Sequence, residues 1–210
     1  MDARVFAPQA EKKEPVVALA GGWRARLVRR FDASPSPDKG PQDKGISAEA
    51  MSALRADFDD TKWQKVEAPG AMESYGGVWA DAEGEAVLRK VIDVPAALLG
   101  QDLTLSLGAI DDYDDTYFNG VRVGGYGRET PEAYSVQREY KIPASLVKPG
   151  KNVIAIRVWD IYGGGGFTTR DPKMLQLKSP RVWVKPADMY HPDYRADFDL
   201  GDEPYRYYNW

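Results

Sequence analysis

Hydrophobic and polar positions alternate most cleanly over residues 103–107, where Leu103, Leu105 and Leu107 share one face and Thr104 and Ser106 the other. A period of two is the pattern of a half-buried β-strand. Asp111, Asp112, Tyr113, Asp114 and Asp115 follow and read as an acidic loop, after which an aromatic strand folds back through Asn119-Gly120. That dipeptide tolerates the positive φ angles of a tight type I′ turn, so a β-hairpin is expected. Residues 152–160 (NVIAIRVWD) form the most β-like run. Both faces carry apolar residues, Ile154, Ile156 and Val158 on one and Val153, Ala155 and Trp159 on the other, which predicts a strand covered on both sides.

Further strands are expected over 23–31, 85–94 (ended by Pro95), 134–142, 174–177 and 182–184, with Trp63 and Val66 anchoring a short extended piece within 58–70. Ser47 can cap one short helix through Glu49, Met51 and Leu54. Residues 33–45 (ASPSPDKGPQDKG) read as an exposed loop, and residues 163–166 are four consecutive glycines. About eight or nine strands at regular spacing predict an all-β, antiparallel sandwich or jelly roll with one short helix. Three segments are expected: a loose arm over 1–15, a single sandwich domain over 16–185, and an aromatic tail over 186–210 that packs on the sandwich or a partner.

Composition supports that class. The 210 residues include 12 tyrosines, 6 tryptophans, 20 glycines and 15 prolines, as short strands with many turns require. A net charge of −4 without long blocks of like charge argues against nucleic acid and anionic membranes as partners. The absence of cysteine removes disulfides, thiolate metal sites and cysteine nucleophiles. No signal-peptide core opens the chain, so the expectation is a mature form or excised domain of a periplasmic or secreted protein.

Three readings of the Asp111, Asp112, Asp114 and Asp115 group stay open. They could bind Ca²⁺, which takes six to eight oxygens; they could accept hydrogen bonds from sugar hydroxyls; or they could satisfy turn N–H groups around the hairpin. Asp160 ends the strongest strand beside the glycine loop, with Tyr162 next to it, and is a candidate ligand-binding residue because binding concentrates on loops carried by rigid scaffolds. The alternative is that the glycines simply let the chain turn. Trp63, Trp79, Trp159 and Tyr117 could stack on the apolar face of a pyranose. Trp23 and Trp63 sit in core-like contexts, whereas Trp79, in GGVWADAEG, is expected to be the exposed one. Arg89, Arg138 and Arg157 fall in strands, where each either clamps a carboxylated sugar or pairs with a nearby Asp. The single histidine, His191, makes neither a zinc site nor a catalytic triad.

Three phrases in order carry a family resemblance: FDDTKWQKVEAPG at 58–70, VLRKVIDVPAALLGQDLTLSLGAIDDYDDTYFNGVRVG at 87–124, and YKIPASLVKPGKNVIAIRVWDIYGGGGF at 140–167. Together they resemble the sugar-binding jelly-roll domain of family 2 glycoside hydrolases and the related β-domain of sialate O-acetylesterase-type proteins. The resemblance implies a galactose-binding-like β-sandwich, usually an accessory domain of a secreted or periplasmic enzyme. It implies Asp160 as an acidic residue offered to a sugar site. The family's catalytic parts are not visible: no alternating βα pattern marks a barrel, and no Gly-Ser step supplies a nucleophile turn.

The expected function is therefore a non-catalytic carbohydrate-binding or accessory domain of a glycan-degrading system. Its rim site would be built from loops 76–84, 109–115 and 160–170, and Asp160, Trp79, Asp112, Asp114, Tyr162 and Arg157 are the candidate ligand residues. Ca²⁺ is a candidate ion, and carbohydrate and a neighbouring catalytic domain are candidate partners. Two alternatives are a purely structural interaction domain and a small glycan hydrolase using loop carboxylates, whose separation the sequence does not give.

Overall fold

A computed structural model of the chain describes residues 15–180. The strand expected at 182–184, the aromatic tail and His191 lie outside the described residues, as does nearly all of the N-terminal arm.

Among the described residues twelve strands form two six-stranded sheets. In chain order they are β1 (Val16–Ala18), β2 (Trp23–Arg30), β3 (Gln64–Val66), β4 (Gly70–Ala71), β5 (Gly84–Val94) and β6 (Leu103–Asp111). Then follow β7 (Tyr113–Phe118), β8 (Val121–Tyr126), β9 (Gln137–Ile142), β10 (Gly150–Asp160), β11 (Gly166–Phe167) and β12 (Leu175–Lys178). One sheet runs β3-β2-β5-β10-β7-β8; the other runs β1-β12-β6-β11-β4, with β9 also paired to β6. Every pairing is antiparallel. The longest register joins β10 to β5, from Gly150 opposite Val94 to Asp160 opposite Gly84.

Alternation decides what each strand buries. Leu103, Leu105 and Leu107 of β6 meet Ile154, Ile156 and Val158 of β10 in the main core, with Trp23, Leu88, Phe118 and Phe167. Each such side chain contributes about 1.5–3 kcal/mol by leaving water. Trp23 is fully buried and satisfies its indole N–H on the Leu19 carbonyl at 2.7 Å. The second face of β10 is covered, as expected, and the element that covers it and β5 is α1 (Ala48–Ala53), the one α-helix among the described residues, whose Ala50 and Ala53 join Leu54, Val87 and Ala155 in a smaller cluster. Ser47 is its N-cap, accepting from Ala50 N–H. At the other end, buried Arg89 donates to the carbonyls of Ala53 and Arg55 and to Asp60, supplying donors where helix carbonyls run out of partners.

The acidic stretch is not a loop. Asp111 ends β6, Asp112 alone makes the connection through a cis Asp111–Asp112 peptide, and Tyr113–Phe118 is β7 in the other sheet. The chain switches sheets here, so these acids obey strand alternation, with Asp114 buried between the sheets and Asp115 on the outer face. The hairpin beyond is as expected, with Asn119 at φ 51° and Gly120 at φ 81°. Asn119 does more than turn the chain. Its side chain donates to Leu146 O and Asn152 Oδ1 and accepts from Val153 N–H, each at 2.8 Å, which pins the hairpin to β10. Replacing Asn119-Gly120 by Val-Val is expected to cost at least about 3 kcal/mol, from two strained φ angles and orphaned buried partners. Urea denaturation measures it; a loss below about 1 kcal/mol would contradict this account.

Candidate functional site

One end of the sandwich gathers five carboxylates from elements far apart in sequence. Asp160 closes β10, Asp111 closes β6, Asp112 links the sheets, Glu73 sits in the turn Met72–Tyr75, and Glu83 precedes β5. The last inward position of β10 places Asp160 with zero exposure, and neither of its oxygens has a hydrogen-bond partner. Glu73 Oε2 is likewise buried and unpartnered. For Asp160, burial without a partner opposes ionisation. Burial first, and then the charges of Asp112, Glu73, Asp111 and Glu83, push the Asp160 carboxyl up to about 8. The Asp111 and Asp112 carboxyls are raised as well, in each case mainly by burial.

The glycine loop is what seals this corner. Gly163 and Gly166 adopt φ of 84° and 83°, turns that side chains resist. Gly165 passes so close that a Cβ there would collide with Asp160 Oδ2 and the Met72 methyl. Met72 N–H donates to Gly165 O at 2.9 Å and Gly165 N–H to Glu73 Oε1 at 3.1 Å. Asp112 Oδ2 accepts from Ile161 N–H at 2.8 Å, tying the start of the loop to the same corner.

Two arginine centres lie nearby. Between the sheets, Arg138 Nε donates to Asp114 Oδ1 at 3.0 Å with both side chains fully buried; Tyr140 Oη and Thr116 Oγ1 donate to Asp114 Oδ2 at 2.8 and 2.7 Å. On the outer face, buried Arg157 donates to Glu85, Asp43 and Asp115 at 2.7–3.1 Å and stacks over Trp159. Glu85 also accepts from Ser47 N–H, so this centre holds the start of α1 in place. Beside it opens a cleft of about 520 Å³ lined by Gln42, Asp43, Tyr113, Asp115, Arg128 and Arg157, among others.

Solved structures share this arrangement of strands. A β-glucuronidase from an uncultured Clostridium species superposes with a TM-score of 0.59 at 12% identity, over 84% of this chain and 31% of its own. Bacteroides uniformis β-glucuronidase 2 gives 0.55 at 18% identity, over 80% and 18%. A family 2 glycosyl hydrolase from Bacteroides cellulosilyticus gives 0.53 at 20%, over 79% and 20%. The likeness is one of fold. This chain has a β-sandwich similar to one in these glycoside hydrolases and spans less than a third of their length. No protein-family model matches the sequence, and no curated protein does. The likeness to sialate O-acetylesterase-type proteins rests on the sequence phrases alone.

The candidate residues fall in different surroundings. Asp160 and Asp112 share the sealed corner, and Tyr162 stands at its edge, 43% exposed. Asp114 is consumed by Arg138, Tyr140 and Thr116, and Arg157 by three carboxylates. Trp79, expected to be exposed, is 1% exposed. Its indole N–H donates to Gln64 Oε1 and its ring meets Tyr75 edge-on, so the glycines around it let it fold inward. The four acids considered for Ca²⁺ are divided: Asp111 and Asp112 lie at the corner, Asp114 on Arg138, and Asp115 on Arg122 and Arg157. Among the described residues no group of three His, Cys, Asp or Glu side chains is arranged to hold a metal ion. Glu73 joins the corner without a sequence signal, since nothing in MESYGG shows that its carboxylate reaches the end of β10.

Proposed function

We propose that this chain is a non-catalytic carbohydrate-binding or accessory domain of a glycan-degrading enzyme or system, acting outside the cytoplasm. The observation that carries the reading is Asp160, a buried carboxylate with two unmet oxygens at the rim of the sandwich. An acceptor held without partners is costly in a folded protein and is relieved by a ligand that donates hydrogen bonds. Saccharide hydroxyls are such donors, the glycine loop is the element that must yield to admit them, and half-exposed Tyr162 offers an apolar ring at the entrance. The shared sandwich of family 2 glycoside hydrolases supports the sugar context.

A bracing role against a neighbouring catalytic domain goes with this reading, because the chain matches only 18–31% of the enzymes it resembles in fold.

The test is calorimetric titration of the full chain with neutral, amino and acidic oligosaccharides, run beside an assay for released reducing sugar. The expected result is one-to-one binding of at least one class, lost in Asp160→Asn, with no turnover. Turnover would assign catalysis to the loop carboxylates; absence of binding by every class would leave the bracing role alone.

A further inference from the structure

The balance of charge at the corner narrows the ligand. Asp160, Asp111, Asp112, Glu73 and Glu83 act on one another there, and Arg138, the cation nearest in effect among the described residues, is already engaged. Arg138, whose charge acts on Asp111, gives its donors to Asp114 and to the carbonyls of Ala133, Val136 and Asp112. Three carboxylate oxygens stay unmet, both of Asp160 and Oε2 of Glu73. They flank the same backbone segment, since a Cβ on Gly165 would strike Asp160 Oδ2 and one on Gly164 would lie 3.8 Å from Glu73 Oε2.

We infer that the corner selects a saccharide bearing a protonated amine, and that it discriminates against uronic acids. This rests on the carbohydrate-binding reading above and specifies its ligand. An ammonium carries three N–H donors and a compact positive charge, so it can donate to Asp160 and Glu73 at once, and Asp160, which burial keeps protonated in the closed corner, gives up its proton as the ammonium binds. A neutral hydroxyl supplies a donor without the charge. A glucuronate would bring an anion into a desolvated corner whose acids already oppose one another's ionisation, and that opposes its binding. A metal ion wants several oxygens converging on one point, an arrangement the described acids do not make. The amine of an amino sugar enters as Gly164 and Gly165 lift from the 72–75 turn, and it replaces the Gly165 N–H on Glu73.

Glucosamine, N-acetylglucosamine and glucuronic acid test this on the full chain, with dissociation constants measured by NMR titration at pH 7 in low salt and a parallel series in calcium chloride. Glucosamine is expected to bind at least tenfold more tightly than N-acetylglucosamine, with glucuronic acid weaker still. The preference is expected to weaken on adding salt and to disappear in both Asp160→Asn and Glu73→Gln, the second variant guarding against a folding defect in the first. Equal affinity for the amine and its acetamide would overturn the inference and leave the carbohydrate-binding reading standing. Preference for glucuronic acid would overturn it too, as would calcium binding that displaces glucosamine. Absence of binding by all three, with binding of another sugar in the calorimetric panel, would refute the inference alone; absence throughout would refute both.

Discussion

The melting temperature of the wild-type domain is expected to fall as pH rises from about 5 to about 8.5, and Asp160→Asn is expected to flatten that fall. Asp160 has its folded-state carboxyl raised to about 8 from an ordinary 3.8, so the folded chain binds more protons than the unfolded chain between those values. Stability tied to this group is therefore fully present below the ordinary carboxylate range and is lost as pH climbs through about 8. For one buried group this amounts to about 2–4 kcal/mol across the window, or roughly 5–10 °C in a domain of this size. Asparagine keeps the shape and cannot ionise, so the variant is expected to match the wild type near pH 5 and exceed it near pH 8. Asp43 works in the opposite sense: although burial opposes it, its bonds to Arg157 hold its carboxyl below the ordinary value, so its contribution disappears only in acid. Differential scanning calorimetry across pH measures both arms. A wild-type curve that is flat or rising from pH 5 to 8.5 would show that the corner is hydrated or otherwise paired in solution.

Arg138→Met is expected to be among the most damaging single substitutions, at about 3–5 kcal/mol, because it strands a fully buried carboxylate rather than merely deleting a contact. Asp114 would keep Tyr140 and Thr116 as donors and lose its counter-charge, while the carbonyls of Ala133, Val136 and Asp112 would lose theirs. Pairing the change with Asp114→Asn removes the stranded charge, so the double variant is expected to be more stable than Arg138→Met alone. Arg55–Asp57 is the control: both side chains are about 70% exposed, and Asp57→Ala should leave urea denaturation unchanged. Were Arg138→Met no worse than that control, the buried pair would not be holding the sheets in register.

Much of the sandwich is legible without coordinates because strand formation is written in near neighbours. The alternation in β6 and the double-sided apolar run of β10 each report burial through residues two apart, and Ser47 and Asn119-Gly120 are local chemical signals for a cap and a turn. The same locality explains the failures. β1, β4 and β11 are two or three residues long and exist only because longer strands offer them an edge. In DYDDTYF the charges hid the alternation, since the arginines that neutralise Asp114 and Asp115 come from β9 and β10. Trp79 looked exposed because flanking glycines signal a turn, yet its burial depends on Gln64 and Tyr75.

Residue pattern alone specifies an antiparallel β-sandwich with one short helix, the Asn119-Gly120 hairpin, and Asp160 as the acid at the end of the strongest strand. The state of Asp160 emerges only on folding: a sealed, unpartnered carboxyl group beside Glu73, Asp111 and Asp112 beneath the glycine loop. Strand pattern depends on residues two apart, whereas the charge and hydration of a carboxylate depend on groups tens of residues away that converge only when the two sheets close on each other.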